Sequence, residues 1–280
     1  MIEQLRAKAK ELLETKAVAV VIGYGEGSTP TTTRPVFIRK PEDVGKLIFN
    51  KYCYNNLTYY LTKKDVMRLG KPAIVVKGCD AKAAMVLVQE SQAPREGFIL
   101  LGVACSGVED PAGNKCKYCD VNTPLVCDFV FGDKVESHPD QQAAVMDVAE
   151  LEKLAPGERG EFWAKEFERC IRCYACRNAC PLCYCDRCIA DMNQPQWIET
   201  SQHQRGNFAW NIIRAMHLAG RCIQCGECER VCPMGIKLMS LNKKLAQTVL
   251  KKFGYRSGYD PKTKPVMACF KPEDDNEFFR

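Results

Sequence analysis

One cysteine pattern, Cys-x2-Cys-x2-Cys-x3-Cys-Pro, occurs twice in the chain. It runs through Cys170, Cys173, Cys176, Cys180 and Pro181, and again through Cys222, Cys225, Cys228, Cys232 and Pro233. Three thiols two residues apart close a short loop around one centre and turn backbone N–H groups toward it. The fourth, three residues on and followed by proline, leaves that loop in a new direction. This spacing suits two cuboidal 4Fe–4S clusters, with the fourth cysteine of each run ligating the neighbouring cluster. The expected sets are Cys170, Cys173, Cys176 and Cys232 for one cluster, and Cys222, Cys225, Cys228 and Cys180 for the other. Zinc sites favour two Cys-x-x-Cys pairs joined by a longer loop, a poorer match.

Eighteen cysteines in 280 residues is a high content. The first residues, MIEQLRAKAKELLE, are charged and amphipathic with no apolar h-region, so no secretory signal is expected and a disulfide framework is disfavoured. A cytoplasmic metalloprotein is the expectation. No apolar run approaches the roughly 18 residues a membrane helix needs, so no membrane span is expected. The net charge of +6 is modest and spread along the chain, which gives no support to nucleic-acid binding. With 46% hydrophobic and 26% charged residues, the composition is globular and excludes a largely disordered chain. His138, His203 and His217 are scattered, and no Ser-His-Asp, Cys-His or paired-carboxylate arrangement argues for hydrolysis.

The pattern of elements predicts an α/β N-terminal half with a mainly parallel or mixed sheet, followed by a helical half. Residues 1–15 read as an amphipathic helix. AVAVVI (17–22), PVFI (35–38), PAIVVK (72–77), GFILLGVAC (97–105) and DFVFGD (128–133) read as strands, with helices over PEDVGKLIFNKYCYNNLTYYLTKK and AKAAMVLVQESQ between them. The turn signal APGERGE (155–161) marks a boundary, giving an α/β domain at 1–158, a helical cluster domain at 159–253 and an irregular segment at 254–280 with Phe270, Phe278 and Phe279 available for docking. The 41 residues between Cys180 and Cys222 are too many for a compact hairpin and read as helical. Chemistry in an α/β sheet belongs at the carboxyl ends of its strands, where Cys79 and Cys105 lie.

AGRCIQCGECERVCPMGI resembles the alpha-helical dicluster ferredoxin modules of anaerobic respiratory and heterodisulfide-reductase-type complexes, over about residues 165–250. KGCDAKA, GVACSG, KCKYC and CDFVFGD, in that order, resemble the beta-subunit family of deazaflavin-linked hydrogenases and formate dehydrogenases, over about residues 70–135. That family passes electrons between iron–sulfur clusters, a flavin and a two-electron carrier. The resemblance implies a third 4Fe–4S cluster on Cys79, Cys105, Cys116 and Cys119, with Cys127 as the alternate fourth ligand; a zinc loop or simply buried thiols are the other readings.

Three readings stay open. Cys183, Cys185 and Cys188 either help hold an extra cluster, with Cys53 or Cys269 as fourth partner, or line an existing one. Gly23, Gly25 and Gly27 form either a phosphate cradle for FAD or a plain turn, since the full G-x-G-x-x-G spacing is missing. Arg172, Arg177, Arg187, Arg221 and Arg230 either raise cluster potentials or are surface charge. The expected function is an iron–sulfur electron-transfer subunit of an anaerobic redox complex, without turnover on its own. Its expected neighbours are a flavoprotein or heterodisulfide-reductase-like subunit and a hydrogenase or formate dehydrogenase. The alternative is a self-contained flavin-dependent oxidoreductase of a deazaflavin or nicotinamide coenzyme.

Overall fold

A computed structural model describes residues 1–109, 115–116, 119–137, 148–267, 269–270 and 272–273. Helix α1 (Ile2–Glu14) buries Leu5, Ala9, Leu12 and Leu13, an i, i+4, i+7 stripe, against the sheet. The sheet contains β1 (Val20–Glu26), β2 (Thr33–Ile38), β3 (Pro72–Val76), β4 (Ile99–Val103) and β5 (Phe129–Phe131), in the order β2-β1-β3-β4-β5. β1 and β2 are antiparallel; β1, β3, β4 and β5 run parallel. The sheet is therefore mixed, with its antiparallel pair at one edge. β3 is buried along its whole length, as a central parallel strand covered on both faces should be.

Two elements differ from the sequence reading. The segment expected to be one helix over 41–64 is broken into 3-10 turns at Pro41–Lys46 and Leu57–Thr62 and the single helical turn α2 (Lys64–Met67). Gly45, Asn50 and the pair Asn55-Asn56 interrupt it. The Asn56 side chain accepts from the Thr58 backbone N–H at 3.1 Å and starts the second turn afresh. The glycine-rich stretch expected to be a loop after β1 is instead part of it. Gly23 and Gly25 pair with Val36 and Arg34 of β2. A Cβ on Gly23 would meet the Leu47 side chain at 2.3 Å, and one on Gly25 would meet Val36 at 2.4 Å. Gly27 sits just beyond, where Thr32 would stand 2.4 Å from a Cβ and where Thr29 and Thr32 bond each other. Close packing of a hairpin suits all three glycines, and the Gly27 N–H is taken by the Thr32 carbonyl at 3.0 Å.

Helix α3 (Gly78–Gln89) begins one residue after Lys77, so Cys79 stands in its first turn, at the carboxyl end of β3. Asp80 closes that turn by accepting from the Lys77 backbone N–H at 3.1 Å. Gly78 is required, because a Cβ would lie 1.9 Å from the Val121 carbonyl.

Beyond the sheet the described chain is helical: α4 (Pro156–Glu168), α5 (Ala175–Ala179), α6 (Gln204–His217), α7 (Glu227–Arg230) and α8 (Leu238–Phe253). Only part of the long inter-motif segment is helix; 3-10 structure covers Ile189–Asp191 and α6 covers Gln204–His217. Trp163 and Phe167 of α4 share a core with Cys228, Ile236, Leu238 and Met239. The main core continues from the sheet into the helical half through Cys180, Leu182, Leu218 and Ile223. The two halves thus share buried surface. The irregular segment straps back onto the α/β half over its described part: Gln89 donates to the carbonyls of Asp260 (2.9 Å) and Thr263 (2.6 Å), and Arg256 pairs with Asp120 at 3.0 Å. Phe270 is 83% exposed; Phe278 and Phe279, like His138, lie outside the described residues. No helix among the described residues is long and apolar enough to cross a membrane.

Candidate iron–sulfur centres

The two repeated runs fold alike. In the first, Arg172 and Tyr174 flank Cys173 with φ of 57° and 58°; in the second, Gln224 and Gly226 flank Cys225 with φ of 58° and 77°. Non-glycine residues rarely adopt this left-handed region, and it recurs at the same two positions of both runs, so the two loops share one backbone shape. Alternating αR and αL residues make a concavity of N–H groups that suits an anion. The Gln224 N–H already points at the Cys222 sulfur, at 3.4 Å.

Thiol neighbours follow the crossover. Cys176 feels Cys170, Cys173 and Cys232. Cys228 feels Cys222, Cys180 and Cys225, and these four line one small cavity together. The structure therefore brings Cys232 to the first run and Cys180 to the second. Burial pushes the Cys222 thiol up to about 12 and raises Cys228 strongly. A thiolate is the metal ligand, so thiols buried this deeply need a cationic centre to ionise.

The front cysteines converge as well. Cys79, Cys105, Cys116 and Cys119 surround one cavity at the carboxyl ends of β3 and β4. Burial pushes Cys105 up to about 11. The Val108 N–H donates to Cys116 at 3.3 Å. Cys127 is not among them. Its sulfur would stand 2.9 Å from a Cβ on Gly102 of β4, near Asp128 and Arg95. Of the five front cysteines, Cys127 alone does not line that cavity, so the alternate-ligand reading for it finds no support in this placement.

These sets fit cubane clusters better than single ions. Among the described residues, no three Cys, His, Asp or Glu side chains converge on a point where one metal ion could sit. A tetrahedral zinc ion draws its thiolates to about 2.3 Å, whereas a cuboidal cluster holds four thiolates at its separate corners. A second sign is Arg214 of α6. It is buried, donates to the Cys176 carbonyl at 2.9 Å and leaves its Nε without a partner in the chain. Its charge is stabilised by Cys228, Cys180 and Cys176, thiols of both sets, and by the neighbouring Cys183. Inorganic sulfide would be the acceptor such an N–H lacks.

Buried cations stand at both junctions. Arg214 lies between the first and second sets. Lys115 lies between the second and the front sets, near Cys225 and Cys79, and is paired with Glu227. Cys225 itself lines the front cavity, together with Ile223 and Gln224. Lys77, 2% exposed, bonds Asp80 at 2.7 Å and the Asn55 carbonyl at 2.9 Å, and Lys82 bonds Asp120 at 2.8 Å; both line the front cavity. Sequence reasoning missed Arg214 and Lys115. Four of the five arginines it singled out make scaffold contacts: Arg172 donates to the carbonyls of Gly206 and Glu199 (2.8 Å each), Arg177 pairs with Asp191, Arg221 with Glu90 and Arg230 with Glu227. A signal existed for Arg214, an arginine one helical turn after Trp210 and flanked by Ile213 and Ala215. Replacing Arg214 by Met should lower the potentials of both adjacent clusters by tens of millivolts, because reduction adds negative charge beside it. Redox-poised EPR checks this; Arg214→Lys should recover most of the shift.

Cys183 approaches Cys180 closely enough to hydrogen-bond. Cys185 and Cys188 open onto a separate cleft. Neither Cys53, whose sulfur accepts from the Asn50 N–H at 3.3 Å, nor Cys269, bonded to the Pro265 carbonyl at 2.9 Å, joins them.

Residues 166–236 match the family model of a 4Fe–4S dicluster domain. The chain is 31% identical over 160 residues to the F420-dependent formate dehydrogenase subunit beta of Methanocaldococcus jannaschii, an alignment covering 57% of this chain and 41% of that protein. It is 33% identical over 108 residues to the F420-dependent formate dehydrogenase 1 subunit beta of Methanococcus maripaludis, covering 39% and 27%. The chain thus spans less than half the length of these relatives. A chain of the F420-reducing [NiFe] hydrogenase complex from Methanosarcina barkeri aligns over 36% of both chains at 20% identity and a TM-score of 0.30, too slight a likeness to weigh.

Proposed function

We propose that this iron–sulfur chain, a relative of those beta subunits, carries single electrons through three 4Fe–4S clusters within an anaerobic redox complex of the cytoplasm. Its neighbours would be a formate dehydrogenase or hydrogenase on one side and a flavoprotein or heterodisulfide-reductase-like subunit on the other. The observation that carries the reading is the continuity of the three four-cysteine sets: Cys183 and Arg214 lie near cysteines of both runs, and Cys225 of the second run lines the front cavity. A bound cluster accepts and releases one electron with little rearrangement. The chain's own work is to hold, shield and tune. α6 grips the first run by donating from Asn207 to the Cys170 carbonyl and from Arg214 to the Cys176 carbonyl, at 2.8 and 2.9 Å. Asn242 of α8 donates to the Cys228 sulfur at 3.6 Å. The apolar core around Cys180 excludes water from the middle of the path. With the Gly23–Gly27 stretch tied into a hairpin, conversion of a hydride into single electrons falls to a flavin-bearing partner.

The test is an anaerobic rebuild of the chain with iron, sulfide, zinc and flavin quantified on one sample. About twelve iron atoms per chain are expected, four for each set. Mainly zinc, or four irons or fewer, would sink the reading; stoichiometric bound flavin with hydride-donor turnover would replace it by a self-contained flavoenzyme.

A further inference from the structure

Cys183, Cys185 and Cys188 belong to none of the three sets, yet all three line one open cleft of about 180 Å³. The chain bends at Asp186 and Arg187, so Cys185 and Cys188 come from the two sides of a tight bend and face the same space. Cys185 is exposed and Cys188 half-buried. Cys183 lies at the inner end, within hydrogen-bond reach of Cys180. A Cys-x-x-Cys pair open to solvent thus stands one thiol away from a candidate cluster ligand.

The cleft is lined by charged groups. Lys63, Arg177, Arg214 and Arg221 face Asp186 and Asp191, with Arg177 paired to Asp191 and Arg221 to Glu90. Arg177, held by Asp191 at 2.7 Å, lies against Cys188. It places a cation where negative charge develops as a sulfur–sulfur bond breaks. Trp210 and Tyr59 supply apolar walls. A fourth cluster would need four thiolates, and this cleft offers three.

We propose that Cys185 and Cys188 form a redox-active dithiol–disulfide pair, fed from the second set through Cys183, and that the cleft reduces small anionic disulfides. The proposal rests on the reading that Cys180, Cys222, Cys225 and Cys228 hold a 4Fe–4S cluster. In the oxidised form Cys185 and Cys188 are joined. Two electrons, delivered singly by the relay, and two protons from solvent break that bond and leave two thiols. One thiolate then attacks a bound disulfide R–S–S–R′, forming a mixed disulfide and releasing R′–SH. The other cysteine attacks the mixed disulfide, re-forming the Cys185–Cys188 bond and releasing R–SH. The balance is R–S–S–R′ + 2e⁻ + 2H⁺ → R–SH + R′–SH.

The experiment uses the full chain rebuilt anaerobically with its clusters, treated with glutathione disulfide as the anionic probe and desalted. Denaturing alkylation and peptide mass analysis then follow Cys185 and Cys188, before and after light-driven deazaflavin reduction. Neither thiol should take label after oxidation and both should take it after reduction. Cys222→Ala should slow the return of label severalfold, because its electrons no longer arrive through the second set. Cys185→Ser and, independently, Cys188→Ala should abolish the paired change while keeping the iron content and EPR signals of the unaltered chain. Thiols that label equally before and after oxidation would overturn the proposal. So would undiminished reduction in Cys222→Ala, or loss of about four irons in Cys185→Ser, which would make the trio a cluster site. Iron and EPR on the unaltered chain separate failure of the cluster reading from failure of the dithiol, since the peptide masses report the pair whether or not iron is bound.

Discussion

Cys180→Ala and Cys222→Ala will extinguish the same EPR signal, and Cys170→Ala and Cys232→Ala a different one. Each variant should lose about four irons from a total near twelve. The expectation runs against chain order, since Cys180 follows Cys176 by four residues and Cys222 by sequence lies far away. It follows from where the fold sends the fourth cysteine of each run. Pro181 turns the chain out of the first loop, and Cys180 ends buried among Cys222, Cys225 and Cys228. Cys232 returns beside Cys170, Cys173 and Cys176. Because Cys183 lies beside Cys180, a neighbouring thiol is at hand to replace it; the double variant Cys180→Ala/Cys183→Ala keeps the comparison decisive. If Cys180→Ala instead matched Cys170→Ala, each run would hold its own cluster and the pairing would be wrong.

The spacing of the two runs implies that pairing, because a repeated local motif encodes its own loop geometry. The front set was legible in part. Cys79 and Cys105 each follow an apolar run, so the ends of parallel strands place them together. Cys127 lies on the approach to β5, and only the fold shows it packed beside Gly102 and outside the lining of the cavity. Other features resisted for physical reasons. Gly23 and Gly25 read as turn residues because glycine weakens an isolated strand; here the near approach of Leu47 and Val36 outweighs that preference. The apolar spacing over 41–64 is helical in period, but the Asn and Gly positions cut it into turns too short for an α-helix.

The buried cations were the hardest to see. Lys77, Lys82 and Lys115 sit in sequences whose neighbours are apolar or cysteine, where a lysine reads as an exposed interruption. In the fold they are 2%, 4% and 8% exposed. A buried lysine is costly unless a counter-charge accompanies it. Asp80, Asp120 and Glu227 supply one each, at 2.7 Å for Lys77 and 2.8 Å for Lys82. Lys82–Asp120 and Lys115–Glu227 leave no periodic trace, since their partners come from distant segments; only Lys77–Asp80 is local, three residues apart. The strap of 254–267 is a related case. Its polar, proline-rich composition gives no hint that Tyr259 and Arg256 will both reach Asp120, beside Cys119. What reads as a loose tail braces the wall of the front cavity.

That cavity yields the second large effect. Cys105→Ala should remove about four irons and one EPR signal while leaving the signals of the two repeated runs in place; Cys127→Ala should remove none. The contrast is sharp because both cysteines flank β4 or its neighbour and both are at least half-buried, so plain destabilisation would strike them alike. Only Cys105 shares the cavity with Cys79, Cys116 and Cys119. The same variant should cut the path toward the α/β half. Electrons given to the repeated-run clusters of Cys105→Ala by a low-potential dye would then reach no acceptor docked at the sheet's carboxyl edge, although the clusters themselves reduce normally. Lys115→Met should give a weaker form of the same result, with the front signal present and its potential lowered, since one of the cations between Cys79 and Cys225 is gone. An unchanged iron count in Cys105→Ala, or an equal loss in Cys127→Ala, would remove the third cluster from the path and leave a two-cluster chain.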